Sequence, residues 1–338
     1  MSKKAIIFGV TGQDGSYLAK FLLKKNYVVY GIKRRTSSEN FERIEDIIDK
    51  KKFKLKFGDV TDSLNITGLL KKIRPDEIYN FAAQSHVAIS FELPEYTAES
   101  SGVGTLKILE AIRQNNLQKK TKFYQSGTSE LYGKNATIPQ NEKTLFHPAS
   151  PYSVAKLFAH WATTNYRESF GIFACNGICF NHESPYRGEN FVTRKIVRGL
   201  VKIKKKLQKK LVLGNLYAKR DWGHAEDFVK GMWLMLQQKV SDDYVLATGK
   251  QYTVKKFIEI TAKHLKLRVI WNGKGIKEVG YINGVPRIFC DKKYFRPNEV
   301  DNLLGDFSKA KKKLGWKPEK NINDLVLEMI EHENKSIS

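Results

Sequence analysis

Short apolar runs and amphipathic segments alternate along the first half of the chain. Residues 5–10 form an apolar, partly β-branched run that ends near a glycine, which predicts a buried strand. Residues 16–25 place Leu18 and Leu22 on one face, as in an amphipathic helix. A second apolar run at residues 27–32 completes a βαβ unit, so this part of the chain predicts a parallel sheet.

The same alternation predicts further elements. Strands are expected at residues 54–60, 76–86, 121–126, 174–180 and 243–249, with helices at 102–113 and 322–332. We therefore expect an α/β fold: a Rossmann doubly wound parallel sheet with a smaller C-terminal substrate-binding lobe. Because the alternation loosens near residue 172, we assign residues 1–172, with returning segments near 215–248, to a dinucleotide-binding domain, and residues 173–338 mainly to the substrate-binding lobe.

The turn between the first strand and the first helix contains Gly9, Gly12 and Gly15. Glycines here let the backbone approach a dinucleotide pyrophosphate, which lies at the N-terminus of the helix. After the second strand, an NAD-preferring fold has an acidic residue for the ribose hydroxyls. This chain has Arg34 and Arg35 nearby instead, which suit a 2′-phosphate, so NADP is the predicted cofactor.

A tyrosine and a lysine stand four residues apart in a predicted helix further along the chain. Tyr152 and Lys156 would share one face of that helix. A phenol is a poor base at neutral pH, and a neighbouring ammonium favours the phenolate, so we expect Lys156 to lower the pKa of Tyr152. Upstream, Thr128 and Glu130 follow a predicted strand, at the sheet edge where such folds bind ligands.

Composition narrows the class of protein. The formal net charge of +24 fits either an anionic partner, such as nucleic acid or a nucleotide-linked substrate, or a lysine-rich solvated surface, and we favour the surface. The three cysteines are unsuited to a disulfide framework or a metal site. With no pattern typical of a signal peptide and no apolar run of about 18 residues, we expect a cytoplasmic protein that binds neither nucleic acid nor membrane.

These motifs together resemble the GDP-mannose 4,6-dehydratase family of the extended short-chain dehydrogenase/reductases. The likeness runs almost from end to end of the chain. The segments with the clearest likeness are residues 9–18, 31–38, 85–91, 128–133, 181–185, 220–224, 294–297 and 312–318.

The resemblance implies conversion of a GDP-hexose, GDP-mannose in most of the family, to its 4-keto-6-deoxy derivative. It implies Thr128, Glu130, Tyr152 and Lys156 as the catalytic set. Tyr152 would take the C4 hydroxyl proton during oxidation, with Thr128 bonded to the same oxygen. The 4-ketone would acidify the C5 proton for Glu130, water would leave from C6, and reduction at C6 would complete a redox-neutral cycle.

The resemblance also implies binding residues. Those for the cofactor are Gly9, Thr11, Gly12, Gln13, Asp14, Gly15, Arg34, Arg35, Asp59, Val60, Phe81, Ala82, Ala83, Ser85, Tyr96, Lys156, His182 and Arg187. Those for the GDP-sugar are Ser85, Asn181, Lys195, Arg220, Arg296 and Glu299. Residues 39–43 match loops that reach a neighbouring subunit, so a homotetramer or homodimer is implied.

Three positions depart from the family pattern and leave the sugar open. Gly127 replaces a usual serine, Tyr186 an arginine and Gln84 a methionine. GDP-N-acetylglucosamine and GDP-manno-heptose therefore stay alternative substrates. A nucleotide-sugar 4-epimerase is a rival, although it needs no C5 base such as Glu130. A basic Rossmann protein that binds nucleic acid is a second rival, although such a protein needs no catalytic set. The plainer interpretation of Thr128 is a helix cap, and that of Glu130 is a surface carboxylate.

Overall fold

The computed structural model describes residues 2–37, 39–134, 136–295 and 298–337. These residues form fourteen strands and eleven α-helices. The strands are β1 (Lys4–Phe8), β2 (Val28–Lys33), β3 (Phe53–Phe57), β4 (Glu77–Asn80), β5 (Lys122–Ser126), β6 (Ala174–Cys179), β7 (Asn181–Glu183), β8 (Leu211–Leu213), β9 (Lys219–His224), β10 (Tyr244–Leu246), β11 (Gln251–Thr253), β12 (Val269–Asn272), β13 (Val279–Ile282) and β14 (Val285–Cys290). The helices are α1 (Gln13–Lys24), α2 (Ser63–Ile73), α3 (Val87–Glu92), α4 (Pro94–Ala98), α5 (Gly104–Gln114), α6 (Pro151–Phe170), α7 (Val192–Lys204), α8 (Ala225–Leu236), α9 (Val254–His264), α10 (Ser308–Leu314) and α11 (Ile322–Ser336).

Seven strands form one parallel sheet in the order β10-β6-β5-β4-β1-β2-β3. The strand order reverses between β1 and β4, since the chain first builds outward through β2 and β3 and then returns to add β4 beside β1. The crevice at the carboxyl ends of these two strands is where open sheets of this kind bind ligands. The predicted doubly wound α/β fold is confirmed.

Strand β1 shows why the sheet is buried on both faces. Ala5 and Ile7 belong to the hydrophobic cluster that includes residues of α1 and α8, whereas Ile6 and Phe8 belong to the cluster that includes residues of α2 and α5. Successive side chains on a strand point to opposite faces, so a continuous apolar run supplies both cores.

The C-terminal half contributes both to this sheet and to a second core. Strands β6 and β10 lie in the central sheet, and α8 packs against α1. Helices α7, α9 and α11 pack together beside a four-stranded sheet in the order β12-β13-β14-β8. A separate three-stranded sheet has the order β11-β9-β7, and its strands β7 and β9 contain the predicted site residues Asn181, His182 and Arg220.

The fourth strand is shorter than the predicted 76–86, because β4 ends at Asn80. The next residue still donates from its backbone to Phe8 on β1, but the Ala82 N–H donates to the side chain of Asn80 at 3.2 Å. This local contact competes with the ladder and turns residues 81–86 into a loop along the crevice. In the part of the chain that the structure describes, no helix is both long and apolar enough to cross a membrane.

Candidate active site

The glycine turn between β1 and α1 is too crowded for side chains. A β-carbon on Gly15 would lie 2.3 Å from the carbonyl oxygen of Gly9, which only glycine avoids. Helix α1 begins after Gly12, and no side chain of the described residues caps it. The first-turn N–H groups of a helix lack intrahelical acceptors, so this helix end suits an anion.

A buried ion pair lies behind this turn. The Nε2 atom of His182 donates to Asp14 Oδ2 at 2.9 Å, and its Nδ1 atom donates to the Phe180 carbonyl oxygen at 2.7 Å. Because both ring nitrogens face acceptors, the imidazole holds a proton on each and is positively charged. Burial alone would raise the pKa of Asp14, but the charge and hydrogen bond of His182 outweigh it and lower that pKa. Burial opposes the charge on His182, and Asp14 outweighs it and raises the pKa of the ring.

Gln13 completes this connection between α1 and β7. Its Nε2 donates to Asp14 Oδ1 and to the carbonyl oxygen of His182, both at 3.0 Å, while its Oε1 accepts from Ser184 Oγ at 2.8 Å. Three residues predicted to bind cofactor, Gln13, Asp14 and His182, therefore bond to one another and fix the crevice wall.

The loop after β4 lies against the same turn. A β-carbon on Gly9 would lie 3.1 Å from the backbone of Phe81 and of Ala82. Ser85 is exposed, and Ala83 is partly buried in this loop. The Gln84 amide accepts from the His86 N–H of the same loop at 2.6 Å and donates to Thr97 Oγ1 on α4 at 3.1 Å. Gln84 is one of the three residues that depart from the family pattern, and these contacts engage its side-chain amide.

The basic residues after β2 contact the far side of the crevice. Arg34 donates from Nη1 to the Tyr96 hydroxyl at 2.6 Å, which joins two residues predicted to bind cofactor. The Arg35 guanidinium donates to the carbonyl oxygen of Thr36. Asp59 is oriented by Thr61, whose N–H and hydroxyl donate to its Oδ1 at 2.9 and 2.8 Å, and the neighbouring Val60 is buried.

The catalytic candidates lie at the ends of β5 and α6. Ser150 accepts from the Ser153 N–H in a capping box, and Pro151 occupies the first turn, so α6 begins immediately before Tyr152. Tyr152 and Lys156 are buried on the same helix. Thr128 and Glu130 are also buried, and Thr128 Oγ1 accepts from the Glu130 N–H at 3.2 Å. Thr128 is thus a cap of the 3-10 turn Ser129–Leu131 as well as a catalytic candidate.

The electrostatics of Tyr152 differ from the sequence prediction. Burial raises the pKa of its phenol to about 12, with a further upward contribution from the charge of Glu130. Contact with Thr128 and the charge of Arg187 act in the opposite direction. Lys156 instead donates from Nζ to the Ser126 carbonyl oxygen at 2.8 Å, and burial lowers its own pKa to about 8. The expected lowering of the Tyr152 pKa is therefore wrong for this structure, because burial dominates and the ammonium is bonded to Ser126.

Several of the predicted substrate residues contact neighbouring side chains. Arg220 donates from Nη2 to Glu299 Oε1 at 3.0 Å, and the Lys195 ammonium lies 3.7 Å from the ring centroid of Tyr294. Among the described residues, the buried Asn181 Oδ1 has no hydrogen-bond partner. Arg187 Nε lies 3.1 Å from Glu183, and its guanidinium covers the ring of Phe191. The predicted Arg296 lies outside the described residues.

Sequence reasoning missed the polar network beneath the site. Asn80 donates from Nδ2 to Gln125 Oε1 at 2.9 Å and to Thr105 Oγ1 at 3.2 Å, which joins β4 to β5 and α5. The available signal was a polar amide directly after two apolar residues in each strand, Asn80 in β4 and Gln125 in β5. The Ser126 carbonyl that holds Lys156 left no such signal, because it is a backbone atom.

The two other departures from the family pattern have structural explanations. A β-carbon on Gly127 would lie 2.8 Å from the carbonyl oxygen of Gly177, so β5 and β6 approach too closely there for a side chain. The Tyr186 hydroxyl accepts from Lys20 Nζ at 3.1 Å, and its ring packs 5.3 Å from that of Tyr17 on α1. Tyr186 is therefore engaged with the surface of α1.

Comparisons with known proteins identify the family to which the chain is similar. The family model described as GDP-mannose 4,6 dehydratase matches residues 6–329. The chain is 54% identical over 347 residues to GDP-mannose 4,6-dehydratase of Vibrio cholerae, covering 98% of this chain and 93% of that protein. It is 53% identical over 336 residues to GDP-mannose 4,6 dehydratase of Drosophila melanogaster, covering 97% and 85%.

A solved structure supports the fold independently. The dTDP-glucose 4,6-dehydratase of Bacillus anthracis, in complex with NAD, superposes with a TM-score of 0.81 at 21% identity and covers 99% of this chain and 97% of its own. At that identity the likeness establishes the architecture alone, whereas the sequence matches extend over nearly every element of the site. The chain belongs to the GDP-mannose 4,6-dehydratase family.

Proposed function

We propose that this protein converts GDP-mannose to GDP-4-keto-6-deoxymannose and water, with NADP as its cofactor. The observation that supports this most directly is the burial of Glu130 beside Thr128 and Tyr152, where its charge acts on the phenol. A 4-epimerase needs no such carboxylate. GDP-N-acetylglucosamine and GDP-manno-heptose are not favoured, since the curated relatives at 52–54% identity are GDP-mannose dehydratases and Gln84 and Tyr186 are bonded elsewhere.

The chain's own residues fit a dinucleotide. The crowded glycine turn and the uncapped start of α1 suit a diphosphate. Arg34 and Arg35 follow β2 where a 2′-phosphate would lie, which favours NADP over NAD. When bound there, the cofactor supplies a hydride acceptor and later a hydride donor.

Tyr152 and Thr128 would handle the proton of the C4 hydroxyl. With a pKa of about 12, the phenol holds its own proton before substrate binds. Thr128 and Arg187 both lower that pKa, so they favour the phenolate that takes the C4 proton during oxidation. The Lys156 ammonium, which is held by the Ser126 carbonyl oxygen, would act as a hydrogen-bond donor at the bottom of the crevice.

Glu130 would perform the elimination. A ketone at C4 makes the C5 proton acidic, and the Glu130 carboxylate is the base that takes it. The C6 hydroxyl leaves as water with the proton from the same carboxyl group. The bound cofactor would supply to C6 the hydride that C4 gave up, and C5 would gain a proton in place of the one that Tyr152 took from the C4 hydroxyl, so the substrate loses only one water.

The nucleotide end of the substrate would lie along β7, α7 and β9. Arginine binds a diphosphate through its bidentate fork, which suits Arg220, and Lys195 adds a second positive charge. The buried Asn181 Oδ1 offers an acceptor. Glu299, which is bonded to Arg220, would accept from ribose hydroxyls. Arg296 and Ser85 would complete the set.

We also propose that the protein assembles as a homodimer or homotetramer through α6. Val154, Phe158 and Trp161 are 55%, 47% and 56% exposed and recur with helical spacing. A stripe of large apolar side chains on one helix face is typical of a protein interface.

The test is incubation with GDP-mannose, GDP-N-acetylglucosamine, GDP-manno-heptose and UDP-glucose without added cofactor, followed by mass spectrometry. We expect loss of one water from GDP-mannose alone. Loss of water from another GDP-sugar would reassign the substrate. An isomeric product of unchanged mass, or no change after NADP⁺ is supplied, would refute the dehydratase assignment.

A further inference from the structure

Residues 298–306, between β14 and α10, lie against the strand that contains Arg220. The Lys219 N–H donates to the Asp301 carbonyl oxygen at 2.8 Å, and the Leu303 N–H donates to the Lys219 carbonyl oxygen at 3.3 Å. Further along the segment, the Gly305 N–H donates to Asp221 Oδ2 at 3.3 Å. The segment is therefore fastened to β9 on either side of Arg220.

The same segment is fastened to the loop that leads into α6. Gln140 in that loop is fully buried, and its Oε1 accepts from the Leu304 N–H at 2.9 Å. The Gln140 N–H donates to the Leu304 carbonyl oxygen at 2.7 Å, and the Asp306 N–H donates to the Gln140 carbonyl oxygen at 2.8 Å. The 298–306 segment thus joins β9 to the approach of the catalytic helix.

Two adjacent side chains at the start of this segment point to different parts of the site. Glu299 Oε1 accepts from Arg220 Nη2 at 3.0 Å. Asn298 Nδ2 donates to the Ala149 carbonyl oxygen at 3.1 Å. One residue therefore contacts the proposed diphosphate-binding arginine, and its neighbour contacts the entry to α6.

Ala149 directly precedes the N-cap of α6 and is held from two sides. Its N–H donates to Ser153 Oγ in the first turn of the helix at 3.1 Å, and its carbonyl oxygen accepts from Asn298. Tyr152 lies in this first turn. A small shift of the helix entry would move the phenol away from its place in the site, and displacements of about 1 Å can lower catalytic rates by about 100-fold.

We propose that Asn298 is a positioning residue that couples nucleotide binding at Arg220 and Glu299 to the placement of Tyr152. This inference rests on the proposed function, since it takes a GDP-sugar as the substrate. A diphosphate bound by Arg220 would share the guanidinium with Glu299 and so act on the residue next to Asn298. Binding energy from the nucleotide would then help to place the phenol beside the sugar, where oxidation takes place.

The test uses Asn298→Ala and Asn298→Leu, which both remove the donor, in the full-length protein saturated with NADP⁺. The matched control is Asn302→Ala in the same segment, because the Asn302 side chain is exposed and has no hydrogen bond to any residue that the structure describes. Steady-state kinetics give kcat and KM for GDP-mannose, and calorimetry gives the dissociation constant of GDP. Hydrogen exchange with mass spectrometry compares residues 219–224 with residues 150–156, with and without GDP.

In the wild type, we expect GDP to slow amide exchange both in β9 and in the first turns of α6. In Asn298→Ala, the slowing in β9 should persist and the slowing in α6 should be lost. Its kcat should fall by about tenfold, while KM and the dissociation constant of GDP stay within about twofold of wild type. Asn302→Ala should match the wild type in every measurement.

The inference and the proposed function fail in different ways. Normal slowing in α6 by GDP in Asn298→Ala, or no such slowing in an active wild type, would overturn the inference alone. Equal loss of kcat and GDP affinity would indicate a merely structural role and would also overturn it. If Asn298→Ala does not fold, Asn298→Leu decides by the same comparison. A wild type that neither binds GDP nor dehydrates GDP-mannose would overturn both.

Discussion

The Nζ atom of Lys156 lies 2.8 Å from the carbonyl oxygen of Ser126, so a buried ammonium on α6 is bonded to the end of β5. Burial lowers the pKa of this ammonium to about 8 from its usual 10.5. The folded state therefore binds this proton less tightly than the unfolded state does. The buried charge costs stability below pH 8, and the cost disappears as the pH rises toward 10.5.

This relationship predicts a pH-dependent effect of Lys156→Met on stability. Between pH 7.5 and 9.5, the free energy of unfolding of the wild type should rise by about 2 kcal/mol relative to the variant. Urea unfolding of both proteins at the two pH values measures the difference. Lys230→Met, which removes a surface lysine paired with Glu319, should show no comparable change. A constant difference would mean that Lys156 titrates normally.

Glu130→Gln should abolish dehydration while leaving ligand binding intact. The amide keeps the size of the side chain but cannot take the C5 proton, so turnover should fall by about 100-fold to 10,000-fold. Incubation of GDP-mannose in D₂O followed by NMR should show no deuterium at C5. Glu142→Gln is the matched control, because that carboxylate accepts a backbone N–H from Val245 and lies outside the catalytic set. Wild-type deuterium incorporation in Glu130→Gln would refute the assignment of the base.

Much of the fold and part of the site could be predicted from the sequence. The parallel sheet follows from apolar runs such as residues 5–10, and the glycine turn follows from its spacing. The direction in which the pKa of Tyr152 is shifted could not be predicted, because it depends on the burial of the phenol and on the hydrogen-bond partner of Lys156. The hydrogen bond from Asn298 to Ala149 joins segments that are distant in sequence, and its acceptor is a backbone atom.

Breaking the ion pair between His182 and Asp14 should destabilise the protein most in mildly acidic solution. The raised pKa of His182 contributes stability that is present below its usual value and lost as the pH rises through the raised one. The lowered pKa of Asp14 contributes stability above its usual value. The pair is therefore strongest between about pH 4 and 6.5.

We expect His182→Gln to cost about 3–5 kcal/mol in that range, because it leaves a buried carboxylate without its partner charge. Denaturant unfolding at pH 5.5 and at pH 9 measures the dependence. His264→Gln, at a histidine bonded to Asn323 on the surface, is the control. The same cost at both pH values would show that the pair is not ionic.

Replacement of both Arg34 and Arg35 by alanine should remove the preference for NADP. The 2′-phosphate would lose its two nearest positive charges, so the dissociation constant of NADP⁺ should rise by about 100-fold, while that of NAD⁺ changes by less than about threefold. Calorimetry with both dinucleotides measures this. Arg113→Ala, which removes an arginine paired with Glu110 on α5, is the control. Equal weakening of both dinucleotides would place the 2′-phosphate elsewhere.

Gly127→Ser should destabilise the protein, although serine is the usual residue of the family at this position. Its β-carbon would lie 2.8 Å from the carbonyl oxygen of Gly177, and the Gly127 N–H donates to that same oxygen at 2.8 Å. Backbone atoms on both strands must shift to relieve the clash, which should cost about 1–3 kcal/mol. Thermal unfolding measures the cost, and Gly68→Ser, where a β-carbon meets nothing within 4 Å, is the control. Because Gly127 immediately precedes Thr128, the same shift should lower kcat more than it raises KM for GDP-mannose. A variant as stable and active as wild type would show that β5 and β6 accommodate the side chain without strain.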